Sequence, residues 1–185
     1  SFLSAAVAFA FAAYLYVWVK RQPTTNKRIN EVAALIREGA NTFMRREYKI
    51  LAIFAGVIAV LILLFLPSPI WNGDAMDNVA MALSYIAGTT LSAIAGKIGI
   101  IVASLSNARA AEGAQHGIKP AFLIGFRGGS VMGLIVVGCA IFGVAAVLMI
   151  VGDTSILLGF SFGASSLALF AKAGGGVFTK TADVS

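Results

Sequence analysis

The sequence predicts an all-α protein, a polytopic bundle of transmembrane helices, and three observations carry that prediction. Hydrophobic residues make up 59% of the chain against 12% charged, and the mean hydropathy of +0.90 lies far outside the range of a water-soluble domain. Five apolar runs are each long enough to cross a hydrocarbon core of ~30 Å at ~1.5 Å per residue. The basic residues behind the formal charge of +6 sit in short polar stretches between those runs, the positive-inside pattern, and no basic groove with interleaved aromatics is present to bind nucleic acid. The expected setting is therefore the lipid bilayer, as an integral multi-pass protein of the cell (plasma) membrane.

The first run, Ser1 to Val19, contains no charged residue. A cleaved signal peptide would need a basic leading region, which is missing, so a first membrane span clipped at its N-terminus is the expectation. Tyr14, Tyr16 and Trp18 fall towards its end, where an aromatic belt is expected, and Lys20-Arg21 follows.

Residues 20–49 are polar. A Pro-Thr-Thr-Asn turn precedes a stretch in which Ile29, Val32, Ala33, Ile36, Ala40 and Phe43 recur at helical spacing, predicting an amphipathic helix that leads into the next span. Lys20, Arg21, Lys27, Arg28, Arg37, Arg45, Arg46 and Lys49 outnumber Glu31, Glu38 and Glu47, which places this segment on the cytoplasmic side. Arg37 and Arg45 are open to two readings, a phosphate contact or a solvated topogenic face.

The second span, 50–66, stops at Pro67-Ser68-Pro69, and the next loop carries Asp74 and Asp77 with no base, which assigns it to the outside. The third span, 79–104, is rich in Gly, Ala and Ser, suited to close helix packing. Its one cation, Lys97, either snorkels to the interface or belongs to an ion path. Residues 105–127 return to the cytoplasmic side with Arg109, Glu112, His116 and Lys119. His116 stands alone, so a zinc reading fails for want of partners. The fourth span, 128–151, continues a glycine pattern of Gly125, Gly129 and Gly133 and contains the one cysteine, Cys139, read as a small buried hydrophobe. An outer turn, Gly152-Asp153-Thr154, leads to the fifth span, 155–171, with Gly159 and Gly163 at the same spacing. Counting spans brings its end back to the cytoplasmic side, in residues 172–185.

That last segment, from Lys172 through Gly174-Gly175-Gly176 to Lys180, Asp183 and Ser185, carries most of the chemistry legible in the chain. Three glycines strip side chains from the backbone, lysines supply point charges suited to phosphate, and an aspartate supplies a hard oxygen suited to magnesium. A P-loop is excluded, because its lysine directly follows glycine at the mouth of a helix after a strand. Here Lys180 follows Phe178-Thr179 and an apolar span comes first. Composition alone leaves two readings: a metal-phosphate site, or a glycine-rich helix contact with two snorkelling lysines.

Resemblance separates them. The run from Gly163 to Val184, GASSLALFAKAGGGVFTKTADV, resembles the signature of the membrane-integral, ion-pumping inorganic pyrophosphatases. Ile36 to Lys49 (IREGANTFMRREYK), Ser106 to Glu112 (SNARAAE) and Gly128 to Leu134 (GGSVMGL) resemble other helices of that family. The resemblance implies hydrolysis of magnesium pyrophosphate in a cytoplasmic funnel, coupled to outward movement of H⁺ or Na⁺ through a deeper gate, in a homodimer. Mg²⁺ would be the cofactor, with K⁺ a candidate activator. Carried over by position, Lys180 would contact pyrophosphate, Asp183 would ligate a bridging Mg²⁺, and Lys172 would lie at the coupling gate.

Two residues depart from the family pattern. Lys172 stands where an arginine is usual, keeping the charge but losing the planar fork, and Ser185 stands where a glycine is usual. The family's water-activating carboxylates and most metal ligands lie on later helices, so the chain is expected to be an N-terminal portion that does not turn over alone. A non-enzymatic transporter or channel and a purely structural membrane module are the competing readings.

Overall fold

The computed structural model describes all residues except 72–74 and 185, and describes no side chains at 177–179 and 181–184. Among the described residues there are five helices and no strand: α1 (Phe2–Lys20), α2 (Lys27–Phe65), α3 (Ala75–Ala114), α4 (Ile118–Val151) and α5 (Leu157–Val184). All five are long and apolar enough to cross a membrane. Helices are what a bilayer demands, because a backbone N–H or C=O in hydrocarbon has no water to bond and a helix pairs every one internally.

Two stretches read as separate pieces in the sequence are continuous. The amphipathic segment and the second apolar run form the single 39-residue α2, since no proline or glycine pair interrupts the pattern between Lys27 and Phe65. The chain also stays helical through Gly174-Gly175-Gly176 as far as Val184. Each glycine costs a helix about 1 kcal/mol relative to Ala, less than leaving backbone groups unpaired in an apolar surround.

The helices divide between two compact units. One comprises residues 1–44 and 97–138. Its core is Ala12 and Leu15 of α1 against Val102 of α3 and Val131 of α4. Arg127 lies over the Trp18 ring at 3.8 Å, a cation–π contact that ties α4 to the end of α1. Arg109 donates hydrogen bonds to the carbonyls of Leu105 (3.3 Å) and Lys20 (3.0 Å), capping the last turn of α1 with positive charge. Burial, and then the charge of Arg37, pull its guanidinium below the ordinary value. In the α1–α2 connection the Thr25 N–H and hydroxyl both donate to Glu112 Oε1, each at 2.6 Å. Asn26 then caps α2, its Oδ1 accepting from the N–H groups of Arg28 and Ile29.

The other unit comprises residues 45–96 and 139–185. Ala59 and Ile62 of α2 pack on Met81, Ala82 and Tyr85 of α3, and Val147 of α4 packs with Ile156 and Phe160. Asn78, fully buried, donates to the carbonyls of Leu63 and Ser68 and so closes the α2–α3 connection. Tyr48 donates to the Ala93 carbonyl at 2.9 Å.

Within this unit α3 and α5 run parallel with their backbones in contact. A Cβ placed on Gly159 would meet the Met81 carbonyl, one on Gly163 the Tyr85 carbonyl, and one on Gly88 the Phe160 carbonyl. Ser92 adds a hydrogen bond from its hydroxyl to the Ala164 carbonyl at 3.1 Å. Small residues four apart let two helices approach this closely, and dispersion between the backbones replaces the hydrophobic drive that lipid cannot supply.

The tie between Thr25 and Glu112 generates a pH prediction. The two hydrogen bonds from Thr25 hold the Glu112 carboxyl below its ordinary value. With the folded value below the unfolded one, the tie contributes in full above the ordinary carboxylate range and is lost as pH falls through the lowered value. Limited proteolysis within residues 21–26 is therefore expected to rise only in the strongly acidic range, and to be fast already at neutral pH in Glu112→Ala. Equal cleavage of the variant and the parent protein at neutral pH would contradict the assignment.

Candidate functional site

The site residues picked out by sequence all lie on α5, and the rotation of that helix decides what they can do together. Ile156, Phe160, Ser166 and Leu167 are buried, and with Gly159 and Gly163 they form the face turned to α3. At about 100° per residue, Lys172 stands nine residues and about 180° from Gly163. The contact with α3 therefore points Lys172 directly away from it, and Lys172 is exposed.

The same arithmetic lines up the rest. Ser161, Ser165, Lys172, Gly176, Lys180 and position 183 fall within an arc of about 100°, interrupted by Phe162 and Leu169. Ser161, Ser165, Gly176 and Lys180 are exposed like Lys172. The result is a polar seam along one side of an otherwise apolar helix, whose upper serines the sequence reading did not single out. The signal was present as spacings of four and seven residues, but the seam has meaning only once the opposite face is known to be buried.

Lys180 and position 183 are one turn apart, neighbours on the seam. Asp183 is helical in α5, while its side chain lies outside the described residues, as does Ser185 altogether. Lys172 lies eight residues before Lys180, about 12 Å along the axis. The two lysines therefore mark two separate stations along the seam. Between them Gly176 presents bare backbone, and an added Cβ at Gly175 or Gly176 would meet nothing within 4 Å. Close packing against the described residues therefore does not account for the glycines at these two positions.

Among the described residues no group of three or more His, Cys, Asp or Glu side chains converges, so these residues form no all-protein metal cage. Mg²⁺ does not need one, since it is commonly held by one or two carboxylates together with substrate phosphates and water. By residue type alone Asp183 suits that mode and would not by itself hold zinc, and its side chain lies outside the described residues. The other residues weighed in the sequence lie elsewhere: Arg37, Arg45, Lys97 and His116 are exposed on or beside α2 and α3, and Cys139 is buried.

Comparison with known proteins bears on this arrangement. The model of the inorganic H⁺ pyrophosphatase family matches residues 6–185. A K⁺-insensitive pyrophosphate-energized proton pump of Methanosarcina mazei is 38% identical over 182 residues, which is 98% of this chain and 26% of the relative. A relative of the same description from Caldanaerobacter subterraneus is 36% identical, covering 92% of this chain and 26% of its own length. A K⁺-stimulated pyrophosphate-energized sodium pump of Thermotoga maritima is 33% identical, covering 99% of this chain and 27% of its own length. The chain thus spans about a quarter of the length of the curated relatives it matches.

The seam makes a direct prediction about access. In the membrane-embedded protein with Cys139 replaced by Ala, a cysteine at Ser165 should react with a water-soluble maleimide, and a cysteine at Leu167 should stay protected. Mass spectrometry of the labelled protein reads the difference. Equal reactivity at the two positions would mean that the face carrying the lysines is not the one open to water.

Proposed function

Because the chain belongs to the inorganic H⁺ pyrophosphatase family, we propose that the whole protein hydrolyses magnesium pyrophosphate to two orthophosphates and couples this to outward translocation of H⁺ or Na⁺. The observation that carries the reading is that α5 stays helical through the end of the motif, which sets Lys180 and position 183 one turn apart on the side away from α3. We assign Lys180 to the pyrophosphate, Asp183 to Mg²⁺, and Lys172 to the coupling gate.

Pyrophosphate is cleaved when water adds to one phosphorus and the bridging oxygen departs with the other phosphate. Negative charge grows on the oxygens in transit, and a fixed cation aimed at them lowers the barrier without reorganising at the moment of reaction. Lys180 supplies that cation on a helix whose far side is clamped to α3. Mg²⁺, when bound, neutralises phosphate charge and aligns the two phosphoryl groups. The proton of the attacking water goes to a base that we assign to no residue of this chain.

Lys172 is where hydrolysis and transport meet. A unit charge ~12 Å away in a surround of effective dielectric ~20 changes its energy by about 1.4 kcal/mol, a tenfold bias. Binding and loss of a multiply charged phosphate at Lys180 is thus large enough to tip an ion pair made by Lys172 between two arrangements. Lysine provides this charge as a compact point, where the family's usual arginine would add a planar fork.

We place the site on the cytoplasmic side. The parallel run of α3 and α5 supports this, because α3 leads on to the segment holding Arg109, Lys119 and Arg127, and basic connections stay inside. Relatives include both K⁺-insensitive proton pumps and a K⁺-stimulated sodium pump, so the proposal extends to either ion. Assembly as a homodimer, with K⁺ as a candidate activator, completes it.

In the whole protein, Lys180→Ala and Asp183→Ala are each expected to lower Mg²⁺-dependent phosphate release by on the order of 10²–10³. Lys172→Ala is expected to depress ion movement more than phosphate release. Phosphate release by Lys180→Ala at the parent rate would refute the assignment and favour a transporter or structural role.

A further inference from the structure

The proposed function uses the polar seam of α5 and leaves unexplained the face behind it, where four contacts to α3 converge on backbone atoms. Cβ atoms at Gly159 and Gly163 would strike the carbonyls of Met81 and Tyr85, and one at Gly88 would strike the Phe160 carbonyl. None of these obstacles is the flexible end of a side chain. At Gly163 the Thr89 N–H nitrogen also stands 3.0 Å from the added atom, so neither helix can yield locally and one must move as a body. The Ser92 hydroxyl on the Ala164 carbonyl fixes the axial position.

We propose that Gly88, Gly159 and Gly163, with Ser92, are positioning residues that set the depth and rotation of α5, and through it the aim of Lys172. They touch neither substrate nor ion. Their effect passes through the rigid helix: Gly163 lies half a turn of rotation from Lys172, and any roll of α5 on α3 swings the seam sideways. Lys172 lies nine residues from this contact and Lys180 seventeen. Rotation is rigidly transmitted over the shorter length and relaxed over the longer one, because the glycine triplet lies between the two lysines and glycine is the residue that least resists bending. The gate station is therefore the one that these residues control, and binding at Lys180 the one they leave largely untouched.

The inference rests on the proposed pyrophosphatase reading, and its test separates the two. The whole protein is reconstituted in sealed vesicles, and phosphate release, KM for magnesium pyrophosphate and ion movement are measured for the parent, Gly163→Ala, Ser92→Ala and Gly56→Ala. Gly56 serves as control because an added Cβ there meets nothing within 4 Å. Gly163→Ala is expected to keep KM within about twofold while ions moved per pyrophosphate fall by on the order of 10-fold or more, the scale of an ångström-sized misplacement. Ser92→Ala, which removes a hydrogen bond without adding bulk, is expected to lower the same ratio less, and Gly56→Ala to match the parent. An unchanged ratio in Gly163→Ala overturns the proposal. So does a loss of KM, turnover and thermal stability in parallel, which would mark the glycines as packing residues alone. A parent protein that binds and cleaves no pyrophosphate would refute the functional reading instead.

Discussion

Contact of backbone on backbone between α3 and α5 is the constraint on which the candidate site depends. Lipid tails are as apolar as leucine, so two helices in a bilayer gain little by hiding oily side chains from one another and must hold together by fit. Gly88, Gly159 and Gly163 provide that fit by removing the atoms that would keep the helices apart. Once α5 is seated by that face, the opposite one is determined, and it is the face with Ser161, Ser165, Lys172, Gly176 and Lys180. An apolar helix thereby carries a polar seam without turning it towards the helix it packs on.

The seam sets Lys172, Gly176 and Lys180 on one side of α5. Lysine at a membrane helix is costly unless it reaches water, a partner charge or a bound anion. Lys180 and Lys172 stand about 12 Å apart along the helix axis, and in the proposed function they answer to different partners. The proposed function asks for no more than a fixed charge at one station and a gate at the other for hydrolysis to be felt by an ion. The energy that links them over ~12 Å is of the order of a factor of ten in an equilibrium, modest enough that the aim of the gate lysine matters.

Much of this architecture was legible in the sequence, for identifiable reasons. The apolar runs announce themselves because a bilayer requires about twenty such residues in a row, and all five appear as helices. The run from Gly163 to Val184 stood out because a motif of that length is specific, and the family match covers it; the roles of Lys180 and Asp183 within it are proposals. What could not be read is tertiary. Thr25 meets Glu112 across 87 positions of sequence, and no periodicity in either neighbourhood hints at it. Helical continuity through the glycine triplet was also hidden, since glycine ends helices in water but is retained where unpaired backbone is more expensive. Ser161 and Ser165 were in plain view at helical spacing, yet which face of α5 is buried depends on carbonyls of Met81 and Tyr85 some eighty residues earlier.

The central claim is that a ligand entering at the end of α5 drives charge across the membrane. It is tested most directly by voltage across sealed vesicles of the whole protein when magnesium pyrophosphate is supplied to one face only. The account predicts phosphate release and a membrane potential when the substrate is given to the face reached by the C-terminal end of α5, and neither from the other face. A potential generated by substrate at the opposite face, or phosphate release with no potential from either, would contradict it.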